Sequence, residues 1–245
     1  MKVGIVIPTY NEKKAIYNLW KKISLELKNL DYFICFVDDT KDSSTYDEII
    51  KYFNINYIKI IRGDKNNNSS SRCKASWLGF KWIINNTKSD IIVDLDADLA
   101  HDPKEILSAI KVMNETNCDI VISSKYKINS IVLGRSNFRK SLSFFYTLLC
   151  KIIFTNKISD YSNSFRFYKR NAIKSLLDSK TKIYNSPIQH LDNILFFHLN
   201  NFVISEIPCT YIERSSGKST IKIKDLILYS YEFVLCIIKN KLRIS

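Results

Sequence analysis

The stretch Asp90-Ile-Ile-Val-Asp-Leu-Asp-Ala-Asp-Leu-Ala-His-Asp-Pro103 constrains this chain more than any other. It opens as an apolar, β-branched run, as a buried parallel strand does, and such strands need helices on both faces. It then carries Asp94, Asp96 and Asp98 at every second position. Side chains alternate along a strand, so the three carboxylates share one face while the backbone stays extended. Like charges on one face repel, and a positive group is expected against them. Asp102, Pro103 and Glu105 follow as N-cap, first and third helical residues, a capping box with Asp as the cap. Carboxylates where a strand's carboxyl end turns into a helix occupy the place where open α/β sheets bind ligands. Hard oxygen ligands suit Mg²⁺ or Mn²⁺, ions commonly held by one or two carboxylates plus substrate phosphates. The bland alternative is a solvated acidic loop with the same spacing.

The surrounding pattern is β-α-β-α-β, as in a parallel sheet with helical crossovers. Residues 2–7 form an apolar strand closed by Pro8-Thr-Tyr-Asn-Glu12, and a helix follows with Ile16, Leu19, Trp20, Ile23 and Leu27 at helical spacing. Residues 33–37 form a second strand ending in Asp38-Asp39, residues 46–53 a short helix, and residues 55–61 a third strand. Residues 63–71 are the most polar segment and read as a mobile loop. A helix over 72–86 leads into the acidic strand, and a helix over 103–116 leads to a strand over 118–123. In a parallel sheet Tyr10-Asn11-Glu12, Asp38-Asp39 and the three central carboxylates reach the same edge. That edge fits a nucleotide: one acidic group accepts from base N–H donors and a metal-bound pair holds a diphosphate. Neither Gly-x-Gly-x-x-Gly nor a P-loop is present, and no Ser-His-Asp arrangement is legible.

The second half differs. Residues 137–154 carry Phe138, Leu142, Phe145, Leu149 and Ile152 on one stripe, with Phe144, Tyr146, Leu148 and Ile153 beside it. The stripe is wider than a surface helix requires, and Arg135, Arg139 and Lys140 lead into it. It reads as a core-packing helix or as one lying on a membrane surface, its cations meeting lipid phosphates. A loop from 160 enters a short strand ending at 168, helices follow from 170 and over 187–200, and residues 202–212 read as one strand. A basic loop over 214–220 precedes an amphipathic helix over 223–238 that ends Lys-Asn-Lys-Leu-Arg. The 245 residues, 46% hydrophobic and 25% charged, describe a globular chain with net charge +13. A balance that basic points to an anionic partner: nucleic acid, a phosphorylated small molecule or an acidic membrane surface. The aromatics sit mostly in apolar helices and not among Lys and Arg on a platform, which argues against nucleic acid. Six scattered cysteines without Cys-x-x-Cys favour a reducing compartment. The first residues enter a strand directly, without a signal-peptide pattern, and no stretch approaches the roughly 20 apolar residues of a spanning helix.

Five motifs carry a resemblance: Ile7-Pro-Thr-Tyr-Asn-Glu12, Val37-Asp-Asp39, Asp96-Ala-Asp-Leu99, Asp160-Tyr-Ser-Asn-Ser-Phe-Arg166 and Glu206-Ile-Pro with Glu213-Arg214, in that order. The chain resembles a family 2 glycosyltransferase over about residues 3 to 220, and within it the dolichyl- or polyprenyl-phosphate mannose synthases and their glucosyl relatives. The resemblance implies a GT-A-type, Rossmann-like α/β fold with a mostly parallel sheet, and inverting transfer of a hexose from a nucleotide-diphospho-sugar to a polyprenyl phosphate. It implies a catalytic domain over 1–220, with a nucleotide-binding half (1–126) and an acceptor half (127–220), before a basic amphipathic helix over 221–245. Carried over by position, Pro8, Tyr10, Glu12, Val37 and Asp39 would hold the nucleoside. Asp96, Ala97 and Asp98 would hold ribose, diphosphate and Mg²⁺ or Mn²⁺, with Asp96 and Asp98 as metal ligands. Lys125 and Arg214 would meet donor or acceptor phosphates, and Arg139, Ser143, Arg166 and Lys218 would shape the acceptor side. Asp192 falls where the family has an acidic residue beside the sugar.

A phosphate acceptor is already ionised near neutral pH and needs no base, only positive charge and a metal for the leaving diphosphate. A sugar hydroxyl acceptor would need a general base, for which Asp192 is the candidate. The alternatives are therefore a glycan-hydroxyl transferase of the same fold and a relative that kept the fold and lost the chemistry. The expected setting is the cytoplasmic face of a membrane, reached by amphipathic docking on anionic lipid or through a membrane partner subunit. The chain departs from the family at several places. Ser123-Ser-Lys125-Tyr stands for Gly-Ser-Arg-Tyr, so the bidentate fork is lost. Asn163 stands for a glycine, Thr220 for a lysine, and residues 66–71 for a glycine-rich loop. Ala100 stands where a metal-approaching residue often is; His101 beside it reads as a polar neighbour of the helix start.

Overall fold

The computed structural model describes residues 1–63, 71–179, 183–213 and 223–241. The first half follows its alternation: β1 (Lys2–Thr9), α1 (Lys13–Glu26), β2 (Asp31–Asp38), α2 (Ser44–Tyr52), one 3₁₀ turn (Ile55–Tyr57) and β3 (Ile58–Arg62). Helix α3 (Arg72–Asn86) returns the chain to β4 (Ile91–Asp94), and α4 (Glu105–Thr116) leads to β5 (Ile120–Ser124). Then come β6 (Ile131–Leu133), α5 (Asn137–Ile153), β7 (Arg166–Lys169), α6 (Arg170–Ser179), α7 (Ile188–Leu199), β8 (Ile204–Pro208), β9 (Thr210–Ile212) and α8 (Ile223–Lys241). No helix among the described residues is long and apolar enough to cross a membrane.

Seven strands form one sheet in the order β3-β2-β1-β4-β7-β5-β8, and β7 alone runs antiparallel to its two neighbours. The order runs outward from β1 to β3 and then crosses back to β4. Strands β1 and β4 therefore flank the point where the winding reverses, and a crevice opens at their carboxyl ends. Val3, Ile5 and Ile7 of β1 join one apolar layer with Ile16, Leu19 and Ile23 of α1 and Ile106 and Met113 of α4. Val6 joins the opposite layer with Ala75, Phe80 and Ile83 of α3. Each such buried side chain contributes about 1.5–3 kcal/mol. Gly79 lets α3 close on β1: a Cβ there would lie 2.3 Å from Val6 Cγ1. That contact sets the first residue of α3, Arg72, over the carboxyl edge.

Three expectations change here. Strand β4 stops at Asp94, so the three carboxylates do not share one strand face. The Leu95 N–H still bonds the Val6 carbonyl at 3.0 Å, and the backbone then turns through Leu99 at φ +63°. The capping box does not form: α4 starts at Glu105 without a side-chain cap, and Asp102 Oδ1 accepts from the Lys104 N–H at 3.1 Å. The Glu105 carboxylate points inward and accepts from the Ser123 hydroxyl and the Thr210 N–H. The single strand over 202–212 breaks at Cys209, because Pro208 has no N–H to donate and the Cys209 N–H goes to Ser130 Oγ. Strand β9 instead pairs with β6 in a separate two-stranded sheet.

Candidate active site

The loops after β1 and β2 are bound to each other. The Asn11 N–H, at φ +57°, donates to Thr40 Oγ1 at 2.9 Å, and the Asp39 N–H donates to the Thr9 carbonyl at 3.0 Å. Asp38 is buried and accepts from the Thr9 hydroxyl and the Thr40 N–H, with Arg62 3.0 Å away as its ion-pair partner. Asp39 stays half-buried at the edge, lying across Gly63, where a Cβ would come 2.0 Å from its Oδ1. Tyr10 presents its ring to solvent beside it. Pro8 and Val37 are paired across β1 and β2 and buried, forming the floor of this edge.

The positive group expected against the central carboxylates is Arg72. Its Nη1 and Nη2 bond Asp94 at 2.8 and 3.1 Å, and its Nε bonds Asp96 Oδ1 at 2.7 Å. Asp94 is fully committed to this pair and to Ser76. Asp96 also accepts from the Ser164 hydroxyl at 2.7 Å. Burial works against its charge, but Arg72, aided by the Ser164 hydroxyl, outweighs this and holds the carboxyl well below the usual carboxylate range. Asp98 is half-buried, and its Oδ1 accepts the Ala100 N–H at 3.0 Å. The Ala97 side chain is buried, so only its backbone faces the crevice. The loop is pinned from beyond by β9: the Ile212 N–H bonds the Ala100 carbonyl at 2.9 Å, and His101 pairs with Tyr211. The donor set fits a hard divalent ion: two half-buried carboxylates separated by one residue offer oxygen ligands of the kind such ions take.

The chain builds a cavity of about 480 Å³, lined by Lys125, Arg135 and Lys140 with Tyr126, Val132, Phe144 and Phe145. Arg135 stands 6.0 Å over the Tyr211 ring, and burial followed by the charge of Asp98 raises the Tyr211 phenol. Tyr211 thus links the cavity to the acidic loop. Ser143 is buried beneath it, bonded to the Tyr126 hydroxyl and Ser162. The Lys125 ammonium is 2.8 Å from buried Asp160. Burial opposes the Asp160 charge, but Lys125 prevails and brings that carboxyl down to about 2. Arg139 pairs with Glu213.

Two expected site residues have structural work instead. Arg166 is buried and donates to the carbonyls of Asn163, His190 and Tyr161, so it braces the loop before β7 and meets no acceptor. Asp192 is buried on α7 and faces α8, with Lys239 Nζ at 3.3 Å and Asn240 Nδ2 at 3.2 Å, so it ties down the last helix and is not placed as a base. Glu206 likewise accepts from the Ser159 and Asp160 N–H groups and holds the Asp160 loop. Arg214, Lys218, Thr220 and residues 64–70 of the polar loop lie outside the described residues.

The profile of glycosyl transferase family 2 matches residues 4–177. The chain belongs to that family and is a glycosyltransferase of the GT-A type. Among its relatives, it is 28% identical to a dolichol-phosphate mannosyltransferase of Pyrococcus furiosus over 231 residues, 94% of this chain and 62% of that protein. It is 27% identical to an undecaprenyl-phosphate 4-deoxy-4-formamido-L-arabinose transferase of Serratia proteamaculans, over 99% of this chain and 70% of that one. The chain thus spans under two thirds of the archaeal relative. Glucosyl-3-phosphoglycerate synthase of Mycobacterium tuberculosis, solved with Mn²⁺, UDP and phosphoglyceric acid, shares the fold at TM-score 0.68 and 12% identity, over 98% of this chain and 78% of that one.

Proposed function

We propose that the chain transfers a hexose, mannose or glucose, from a nucleotide-diphospho-sugar to a polyprenyl phosphate at the cytoplasmic face of a membrane, with inversion at the sugar carbon. The observation that carries this reading is the cavity at Lys125, Arg135 and Lys140, which joins cationic residues to an apolar wall. A lipid phosphate has the same two halves. The names of the two relatives, one acting on a dolichol phosphate and one on an undecaprenyl phosphate, support it.

In this reading Tyr10 lies against the base, Asp39 accepts its N–H donors, and the edge residues Pro8, Glu12 and Val37 complete the nucleoside site. Asp96 and Asp98 would hold Mg²⁺ or Mn²⁺, which when bound supplies positive charge to the leaving diphosphate. Arg72 keeps Asp96 ionised and aligned before any donor arrives. Arg135 and Lys140 draw the acceptor phosphate toward the anomeric carbon and offset repulsion between two anionic substrates, while Lys125, paired with Asp160, holds the cavity wall. By their family positions, Arg214 and Lys218 would also meet the phosphates. The acceptor is ionised already, so no base is required, consistent with Asp192 being occupied by α8. Helix α5 leaves Phe138, Leu142, Phe145, Leu149 and Ile152 exposed, and α8 leaves Ile227, Tyr231, Val234 and Ile238 exposed. The two helices meet through Tyr146 and Phe233, 5.7 Å apart, and lay these apolar faces on anionic lipid or on a membrane partner subunit.

The test is incubation with Mg²⁺ or Mn²⁺, a panel of GDP- and UDP-sugars and a polyprenyl phosphate. Sugar in the organic extract is the expected result and names the donor. Nucleoside diphosphate release with no lipid product would overturn the acceptor assignment.

A further inference from the structure

Beneath the loop that carries Asp96 and Asp98, three buried side chains converge that the reaction above does not use. His101 follows the loop, Glu105 opens α4, and Cys209 stands at the break between β8 and β9. A ring nitrogen of His101, Sγ of Cys209 and a carboxylate oxygen of Glu105 all lie within 4.8 Å of one another. The His101 Nδ1 to Cys209 Sγ distance is 3.6 Å. A tetrahedral ion with a metal–sulfur bond of about 2.3 Å and a metal–nitrogen bond of about 2.05 Å has a sulfur–nitrogen edge of about 3.6 Å.

The outer partners also suit a metal. Glu105 is oriented by the Thr210 N–H and the Ser123 hydroxyl, and Cys209 Sγ by Asn163 Nδ2 at 3.7 Å. Such surrounding bonds aim ligands. The His101 ring is fixed between Phe165 and Tyr211, at 5.1 and 5.2 Å. Ser123 reaches both Glu105 and Cys209, so its hydroxyl or a water completes four positions. Burial drives all three groups toward neutrality: Glu105 up to about 7, Cys209 up to about 11 and His101 down to about 4. A divalent ion reverses this, because one thiolate, one carboxylate and a neutral imidazole balance its charge in a dry site.

We propose that His101, Glu105 and Cys209 form a binding site for a zinc-class transition metal, distinct from the oxygen ligands Asp96 and Asp98. The thiolate and imidazole select a softer ion than the carboxylate pair does. A metal there joins the acidic loop, α4 and β9 at one point and fixes where Asp98 sits.

The test uses the full chain, purified without chelator or polyhistidine tag, with zinc measured by elemental mass spectrometry and then exchanged for cobalt(II). About one equivalent of tightly held metal is expected, with a thiolate-to-cobalt charge-transfer band in the near ultraviolet. Both should be lost in Cys209→Ser and weakened at least tenfold in His101→Asn, and both should survive in Asp98→Ala. Should Cys209→Ser fail to fold, alkylation mapping of the unaltered chain replaces it: zinc must shield Cys209 and leave the labelling of the other five cysteines unchanged. No metal and no cobalt band in folded protein overturns the proposal. So does a band that survives Cys209→Ser or disappears in Asp98→Ala, which would place the ion at the carboxylate pair.

Discussion

At the carboxyl edge of the sheet, charges are answered from within the chain: Asp94 and Asp96 by Arg72, Asp38 by Arg62, and Asp160 by Lys125. On α5 the opposite holds, and Phe138 and Ile152 are each 73% exposed. The first region is finished before a ligand arrives, with carboxylates held in place by partners from neighbouring elements of the chain. Such preorganisation is what a site for a small charged ligand needs. The second region leaves apolar surface for something broad to cover, and contiguous patches of that kind mark interaction surfaces. Substitutions at the edge should therefore change stability or chemistry, and substitutions on the exposed face of α5 away from the cavity should change only where the protein goes.

The largest effect is expected at Arg166→Met. It removes the hydrogen bonds donated to the carbonyls of Asn163, Tyr161 and His190, and a buried carbonyl left unsatisfied costs about 1–3 kcal/mol. Urea unfolding should show a loss of about 3–5 kcal/mol, and a loss under 1 kcal/mol would mean the loop before β7 does not depend on this brace. Asp98→Ala comes next. The residue is only half-buried, so stability should stay within about 0.5 kcal/mol, while turnover falls roughly 10²- to 10³-fold. Single-turnover assays with calorimetry of nucleotide binding separate the two, and unaltered Mg²⁺ dependence would remove Asp98 from the metal site.

Asp160 gives a pH test of the internal pairing. Its folded value, about 2, lies below the ordinary 3.8, so it contributes stability above pH 4 that is lost as the pH falls toward 2. The contribution is about 2 kcal/mol. The stability gap between the unaltered chain and Asp160→Asn should narrow by about that amount across this window, measured by urea unfolding at stepped pH. A constant gap would mean that Lys125 does not hold the carboxylate in the folded state.

What was legible in the sequence follows the same division. Tyr10, Asp39, Asp96 and Asp98 were expected at one edge because strand ends are local, and a parallel sheet brings its carboxyl ends together without further information; the alternation of the carboxylates did not hold past Asp94. Arg72 was implied as a charge but not as a residue, since it lies 24 positions from Asp96 and reaches it only through the close packing of α3 on β1. Arg166 and Asp192 looked like site residues because arginine and aspartate carry chemistry. Their burial depends on α7 and α8 closing over them, which no short motif encodes. Glu105 matched a helix cap, yet two buried donors from β5 and β9 outbid one exposed backbone N–H. The three-residue strands β6 and β9 have too few positions to show a period.

The α5 face was legible as a stripe but not as a surface, because a wide apolar stripe serves a core as well as a membrane. Phe138→Ser with Ile152→Ser distinguishes the two. Both side chains are exposed, so neither supports the core and the melting temperature should not move. If α5 lies on lipid, partitioning onto anionic liposomes should fall about ten- to thirtyfold, roughly 1.4–2 kcal/mol. Transfer to a short, water-soluble polyprenyl phosphate should keep its rate, since neither substitution touches Asp96 or Asp98. Unchanged partitioning would assign membrane contact to α8 or to a partner subunit. A rate loss on the soluble acceptor would instead show that the exposed α5 face continues into the cavity walled by Phe144 and Phe145, and that the two regions form one continuous site.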